Sequence, residues 1–493
     1  MENKLVFGTS GIRLIMGAGA DKLNLGTVGI ISLGLANYLK NKGGGSKKKP
    51  PSVCICYDTR HNSKEFAIKA GTVFKSEGIK VFLHDGAAPT PYLSYLVGAL
   101  KCDAGVMITA SHNPKEWNGY KVYNSRGYQL TDDESGELAK YIDSVGKVRD
   151  FKDVAIGSSE IVDAEEGYLR AVKSSVDRFF DGKSLSDLKI LFSPLFGAGG
   201  KFIKKAFEYY GVKLDIVHEQ FEPNGDFPNL LYPNPGDEKA FELAKEYALK
   251  NGSDLIVASD PDADRMGVCV RVEAGEYVHL SGNEVGVLIA DYLLRCGDNK
   301  DKVVVRSLVS TNLVDKIAAK HGADVLKVPT GFKYIGERMI ELGDRFLFGF
   351  EESCGYLSGD YTKDKDAVEA SLLIAFIASE YKKGGKTLVC RLNEIYDEYG
   401  YHLHETVSLK LGEGASTKEF MDGYRNDGKN KIDYLAGGEG FFGMDMLEYD
   451  EWNKRIIIRP SGTEPLVRFY FSAIGDREWA AAAFKEFKKG LGV

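Results

Sequence analysis

The sequence predicts an α/β protein of several domains: three related α/β domains with mixed, mostly parallel sheets, followed by a C-terminal α+β domain. Three observations lead there. The chain has 493 residues, enough for three or four domains at about 150 residues each. One plan, a β-rich run followed by a helical stretch, a glycine and a second β-rich run, recurs along the chain. After about residue 401 the order becomes strand, helix, paired strands, helix, which is an α+β order.

The first copy of the plan runs through residues 53–57, a helical stretch carrying Phe66 and Phe74, Gly78, and residues 80–83. The second runs through 188–192, a stretch carrying Phe202 and Phe207, Gly211, and 212–217. The third runs through 302–306, about 312–320, Gly322, and 324–328. Each glycine suits the left-handed position just past a helix. Each copy then reaches an apolar run that ends in a polar loop: AGVMITASHNP, DLIVASDPDADR and RFLFGFEESCGY. Strands alternating with helices imply largely parallel sheets, whose ligands bind outside the carboxyl ends of the strands. The equivalent loops are therefore expected to face one cleft. In the tail, a strand is expected over 402–411, a helix over 418–424, a hairpin around IIIRPSGTEPLVRFYF and a helix from residue 478. The domain limits read from this plan are 1–157, 158–273, 274–399 and 400–493.

Composition narrows the function. Lys and Arg total 64 against 71 Asp and Glu, a formal charge of −7, so a nucleic-acid partner is not expected. The cationic cluster Lys47, Lys48 and Lys49 follows a glycine run and reads as a solvated loop tip. The opening MENKLVFGTSGIR lacks the charged-then-apolar pattern of a secretory signal. The longest apolar run, 372–378, falls far short of the ~18 residues of a membrane span. A cytoplasmic protein without a membrane partner is expected. Seven scattered cysteines without a CxxC pair indicate neither a disulfide framework nor a zinc site. Cys54 and Cys56 alternate on a strand and read as small apolar residues.

The loops carry the chemistry. In DPDADR, Asp260, Asp262 and Asp264 follow an apolar strand and offer three hard oxygen ligands suited to Mg²⁺. An EF-hand would need Gly and Glu where Arg265 and Arg271 stand. In TASHNP, Ser111 sits past a strand end, either as a nucleophile or phosphoryl acceptor or as a plain turn serine. In NGYKVY, Lys121 is open to three readings: general acid/base, balance for phosphate charge, or surface lysine. RPSGTEP combines Arg459, Ser461, Gly462 and Thr463, a set suited to a phosphate dianion. In FEESCGY, Glu351 and Ser353 suit sugar hydroxyls or an exposed acidic turn. FGTSGIR is a glycine loop of phosphate-binding type with Arg13 as its charged member.

Taken together, FGTSGIR, TASHNP, NGYKVY, DPDADR, VPTGFK, FEESCG and RPSGTEP occur in the order seen in the α-D-phosphohexomutase superfamily, which the chain resembles from Phe7 to about Phe471. The resemblance implies a fourth domain like the TATA-binding protein and a deep central cleft. It implies a phosphorylated Ser111, whose phosphate oxygen would hold one Mg²⁺ with Asp260, Asp262 and Asp264. His112 and Arg265 would border that centre, with Lys121 and Arg13 serving proton transfer and phosphate contact. Thr330, Gly331 and Lys333 of VPTGFK would contact substrate, with Lys333 as the cation. Glu351 and Ser353 would grip sugar hydroxyls, and Arg459, Ser461, Gly462 and Thr463 would clamp the phosphate that is not transferred. The implied activity interconverts hexose 1-phosphate and hexose 6-phosphate, glucose ahead of mannose, through a hexose 1,6-bisphosphate. A phosphopentomutase and a non-catalytic sugar-phosphate sensor are the alternatives on this fold. A haloacid-dehalogenase-type phosphatase is disfavoured, because that motif wants Thr or Val where Asp264 stands.

Overall fold

The computed structural model describes residues 11–42, 49–146, 157, 160–272, 275–297, 299–412, 415–435, 444–461 and 466–493. Among these, the repeated plan builds three mixed sheets. The first orders its strands Ile12–Ile15, Trp117–Asn124, Ala104–Ile108, Ser52–Tyr57, Lys80–Ala87, Ile161–Val162. The second runs Tyr277–Leu280, Met266–Arg271, Leu255–Ser259, Ile190–Ser193, Asp215–Ile216, and the third Asp324–Val328, Val303–Ser307, Phe346–Glu351, Gly355–Leu357. In each, the strands of the repeat pair in parallel, and the strand after the polar loop returns antiparallel. The polar loops are thus β–β connections at the carboxyl ends of central strands.

Local chemistry explains the repeat. The helices Ser63–Ser76, Gly199–Glu208 and Leu313–Lys320 end at Gly78, Gly211 and Gly322, whose φ values are 76°, 69° and 73°. In each case the next amide bonds back into the helix: Ile79 to the Phe74 carbonyl, Val212 to Phe207 and Ala323 to Ala318. This is the Schellman arrangement, which tolerates a side chain poorly at the glycine. The strand expected over 212–217 is shorter, Asp215–Ile216. The Val212 amide is taken by the helix cap, and the strand lies at an open sheet edge.

The helix Ala367–Lys383 contains the long apolar run and is buried nearly all round. It packs against the helices Glu165–Phe180, Gly199–Glu208 and Gly282–Arg295, so one apolar core spans the first three domains. Cys54 and Cys56 are fully buried in that core, and every cysteine is unbridged. The tail forms a five-stranded antiparallel sheet, Tyr401–Lys410, Leu466–Gly475, Lys454–Pro460, Leu447–Glu451, Ile432–Asp433, with helices Thr417–Arg425 and Arg477–Leu491. It has cores of its own and meets the third domain where Leu308 and Val309 touch Tyr434, Met446, Ile457 and Tyr470.

Candidate active site

The three polar loops meet. Ser111 follows Ala104–Ile108 with φ 53°, Ala263 follows Leu255–Ser259 with φ 47°, and Cys354 follows Phe346–Glu351 with φ 66°. Left-handed backbone in residues other than glycine is costly and concentrates where a site requires it.

The Ser111 hydroxyl donates to Asp260 Oδ2 at 2.7 Å, and its oxygen lies 3.3 Å from His112 Nδ1. Asp260 Oδ1 accepts from the amides of Asp264 and Arg265, which fixes the turn. Asp262 Oδ2 accepts from Thr90 Oγ1 and Lys121 Nζ, both at 2.7 Å. Asp264 Oδ2 faces Lys121 Nζ at 3.3 Å and Lys365 Nζ at 3.0 Å. All three carboxylates are buried, and their oxygens lie within 4.8 Å of one another. The second oxygens of Asp262 and Asp264 are buried with no hydrogen-bond partner. Lys121 and Lys365 bond the other oxygens of these carboxylates, and the two left without a donor suit a hard divalent ion.

Electrostatics agrees. Burial, then the neighbouring Asp262 and Asp264, pushes the Asp260 carboxyl well up. Burial also opposes the charge of Asp264, yet Lys365, Lys121 and Arg265 hold its carboxyl below the ordinary range. Burial, then Arg265 and Arg13, pushes His112 well below the usual histidine range, so its imidazole is neutral at pH 7. Arg13, on Ile12–Ile15, donates to Asn113 Oδ1 at 2.8 Å, and burial beside Arg265 lowers it to about 10. Arg265 itself stands 3.9 Å from Asp260 and 3.8 Å from Asp264.

On the side of Lys365 and Arg265, the Gly331 amide donates to Glu351 Oε1 at 2.8 Å, and burial raises that carboxyl to about 7. Thr330 Oγ1 is buried with no partner, and Ser353 is half-buried beside Cys354. Lys333 has a partner in another domain. Its ammonium lies 2.6 Å from Asp132 Oδ1, and the Tyr334 hydroxyl donates to the same carboxylate. A buried ammonium needs a counter-charge, and Asp132, at the start of helix Asp132–Val145 in the first domain, supplies it. Arg459, on Lys454–Pro460, is close enough to act on both Lys333 and Asp132. The Ser461 amide donates to the Leu466 carbonyl; Gly462 and Thr463 lie outside the described residues, as do Phe7 to Ser10 of the first motif and Lys47 and Lys48.

Sequence reasoning missed Asp58, Arg60, Thr90 and Lys365. Asp58 and Arg60 directly follow the strand Ser52–Tyr57, so the strand-end rule that found TASHNP also pointed at them. Lys365 carries no such signal. Away from the cleft, His84, Asp163 and Glu165 form a second cluster, whose charge Lys201 and Lys205 balance at Glu165.

With this geometry in view, comparison with known proteins is decisive. The phosphoglucomutase/phosphomannomutase family matches domain by domain: alpha/beta/alpha domain I over residues 4–149, domain II over 166–274, domain III over 281–399 and the C-terminal domain over 416–489. The chain belongs to this family. A phosphoglucomutase of Staphylococcus haemolyticus is 35% identical over 502 residues, covering 96% of this chain and 90% of that protein. Among solved structures, a phosphoglucomutase/phosphomannomutase family protein from Burkholderia thailandensis shares the fold with a TM-score of 0.76 at 19% identity, over 100% of this chain and 98% of its own. An N-acetylphosphoglucosamine mutase from Aspergillus fumigatus has a TM-score of 0.55 at 16% identity, over 98% of this chain and 94% of its own. The chain is a phosphotransferase mutase that interconverts hexose phosphates.

Proposed function

We propose that the enzyme moves a phosphoryl group between the 1- and 6-positions of a hexose phosphate, glucose in preference to mannose. Ser111 is the carrier and hexose 1,6-bisphosphate the intermediate. The observation that carries this reading is the Ser111 hydroxyl seated 2.7 Å from Asp260 in a buried triad with unpartnered oxygens. The preference for glucose rests on the staphylococcal relative named phosphoglucomutase, and the intermediate on the Aspergillus relative, solved with glucose 1,6-bisphosphate.

In this reading the phosphoryl group on Ser111 passes to the free hydroxyl of a bound hexose monophosphate. The bond from phosphorus to Ser111 Oγ breaks as the bond to the sugar oxygen forms. The bisphosphate turns end for end, and its other phosphoryl group returns to Ser111. Neutral His112, with Nδ1 3.3 Å from Ser111 Oγ, exchanges a proton with that oxygen, which gains one as the phosphoryl group leaves and loses one as it returns. Lys121 and Arg13 serve proton transfer on the sugar side and phosphate contact, Arg265 borders the transfer, and positioning with electrostatics does most of the work. Asp260, Asp262, Asp264 and an oxygen on Ser111 would hold one Mg²⁺, which would supply positive charge to the transferring group. Glu351 and Ser353 hold sugar hydroxyls, with Thr330, Gly331 and Lys333 beside them. Arg459, Ser461, Gly462 and Thr463 hold the standing phosphate. The division at 1–157, 158–273, 274–399 and 400–493 assigns one loop to each domain. A small-molecule substrate, no nucleic-acid or membrane partner and a cytoplasmic location complete the reading; no helix among the described residues is long and apolar enough to cross a membrane.

Intact mass with peptide mapping should find a single phosphoryl group, on Ser111. Ser111→Ala should abolish conversion of glucose 1-phosphate to glucose 6-phosphate while the protein still gains thermal stability from Mg²⁺. Parental turnover in that variant sinks the mechanism. Rates with glucose, mannose and ribose 1-phosphates test the sugar.

A further inference from the structure

We infer that Arg60 is the positioning residue that holds Ser111 in its transfer-competent conformation, and that domain II sets this hold through Phe227. The inference rests on the phosphoserine reading above and adds to it a residue outside the motifs.

Residues 109–116 leave the sheet without regular backbone pairing, yet several of their carbonyls are buried and need donors. Arg60 supplies them. Its Nη2 donates to the carbonyls of Ser111 and Asn113, both at 2.5 Å, and its Nη1 to those of Pro114 and Trp117 at 2.9 and 3.0 Å. One guanidinium therefore ties both ends of the serine loop. Its planar fork makes this possible, whereas a lysine ammonium lacks the reach and the geometry.

Arg60 is itself fixed. Its Nε lies 3.3 Å from Asp58 Oδ2, and both side chains are fully buried. Asp58 Oδ2 also accepts from Thr109 Oγ1 at 2.6 Å, and Thr109 Oγ1 accepts from the Ser111 amide at 2.8 Å. The loop is thus held from its carbonyl side by Arg60 and from its amide side by a relay that ends on the same Asp58. The strained φ of 53° at Ser111 persists because both peptide groups flanking it are held. Arg60 makes no contact with the Ser111 hydroxyl, which is bonded to Asp260. Its action therefore runs through backbone placement.

The roof over Arg60 comes from domain II. The Phe227 ring stacks on the guanidinium at 5.0 Å. Gly225 of the same segment sits so close that a Cβ would meet the His61 amide nitrogen at 2.7 Å and the Thr59 carbonyl at 3.0 Å. The serine loop of domain I and the acidic triad of domain II are thereby set against each other through Arg60 as well as through the Ser111 hydroxyl.

The test is Arg60→Lys in the full-length enzyme, with kcat, KM for glucose 1-phosphate and thermal midpoint measured together beside Ser111→Ala. The expected result is a fall in kcat of about 10²-fold, the scale of a 1 Å misplacement, with KM and thermal midpoint close to parent. Added guanidinium ion should recover part of the rate in Arg60→Ala. A kcat within about threefold of parent in Arg60→Lys, beside a dead Ser111→Ala, overturns the role of Arg60 and leaves the carrier reading standing. An active Ser111→Ala removes the carrier reading itself. If Arg60→Lys lacks a cooperative thermal transition, Phe227→Leu carries the test. It should lower kcat with KM unchanged, and a parental kcat overturns the inference.

Discussion

Lys365 shows what a single side chain contributes at this centre. Its ammonium lies 3.0 Å from Asp264 and 3.4 Å from Asp364, both buried, so it offsets charge that water cannot reach. Removing one partner of a buried pair typically costs about 3–5 kcal/mol, chiefly because the other is left bare. Lys365→Met should therefore destabilise the protein on that scale in urea titrations without divalent ion, and Asp264→Asn in the same chain should restore much of the loss. A single variant costing under about 1 kcal/mol would show that Lys365 is not the counter-charge of Asp264. At this scale the sequence was unevenly legible. Asp260, Asp262 and Asp264 stand on alternate positions after an apolar strand, a local pattern that names its own chemistry. Lys365 and Thr90 reach the same carboxylates from distant segments, and nothing beside them in the chain announces it. The partner of Lys333 was hidden for the same reason, since Asp132 belongs to another domain.

The elements were more legible than their neighbours. Strand, helix, glycine and strand recur because each glycine must take a left-handed φ to close a helix end, a local requirement written locally. Docking of one element on another is not local, and the start of helix Ala367–Lys383 shows the difference. Its N-cap, Asp366, caps the Val368 amide and also accepts from the Tyr168 and Tyr361 hydroxyls at 2.7 and 2.6 Å. Burial raises this carboxyl to about 7. The folded state then binds the Asp366 proton more tightly than the unfolded chain does. Its contribution to stability is fully present below pH 4 and is lost as pH rises to about 7, at no more than about 1.4 kcal/mol per pH unit. Asp366→Asn should flatten that part of the stability profile relative to the parent, measured by denaturant titration from about pH 4 to pH 8. Parallel profiles for the two proteins would place the proton elsewhere, Glu369 being the neighbouring buried carboxyl.

Over the whole molecule, the division of the cores decides how the enzyme responds to its ion. One apolar core runs through the first three domains around helix Ala367–Lys383, whereas the fourth domain has its own cores and joins at Leu308 and Val309 and through Tyr401, which packs on the shared core and on Tyr396. The proposed ion ligands, Ser111 in the first domain and Asp260, Asp262 and Asp264 in the second, all belong to the shared-core body. Calorimetry should therefore resolve two transitions, one for the body of three domains and one for the fourth. Mg²⁺ at a hundredfold excess over its dissociation constant stabilises the state that binds it by about 2.7 kcal/mol. Only the transition of the larger body should move upward, and Asp262→Asn should suppress the shift. Equal movement of both transitions would mean that the fourth domain unfolds with the rest, coupled to it by the contacts at Leu308, Val309 and Tyr401. In the proposed mechanism this joint matters for the chemistry as well, because the bisphosphate reorients between the two transfers while Arg459 releases one phosphate and takes the other. A domain that holds substrate through Arg459 but folds on its own core can let go without disturbing the Ser111 loop.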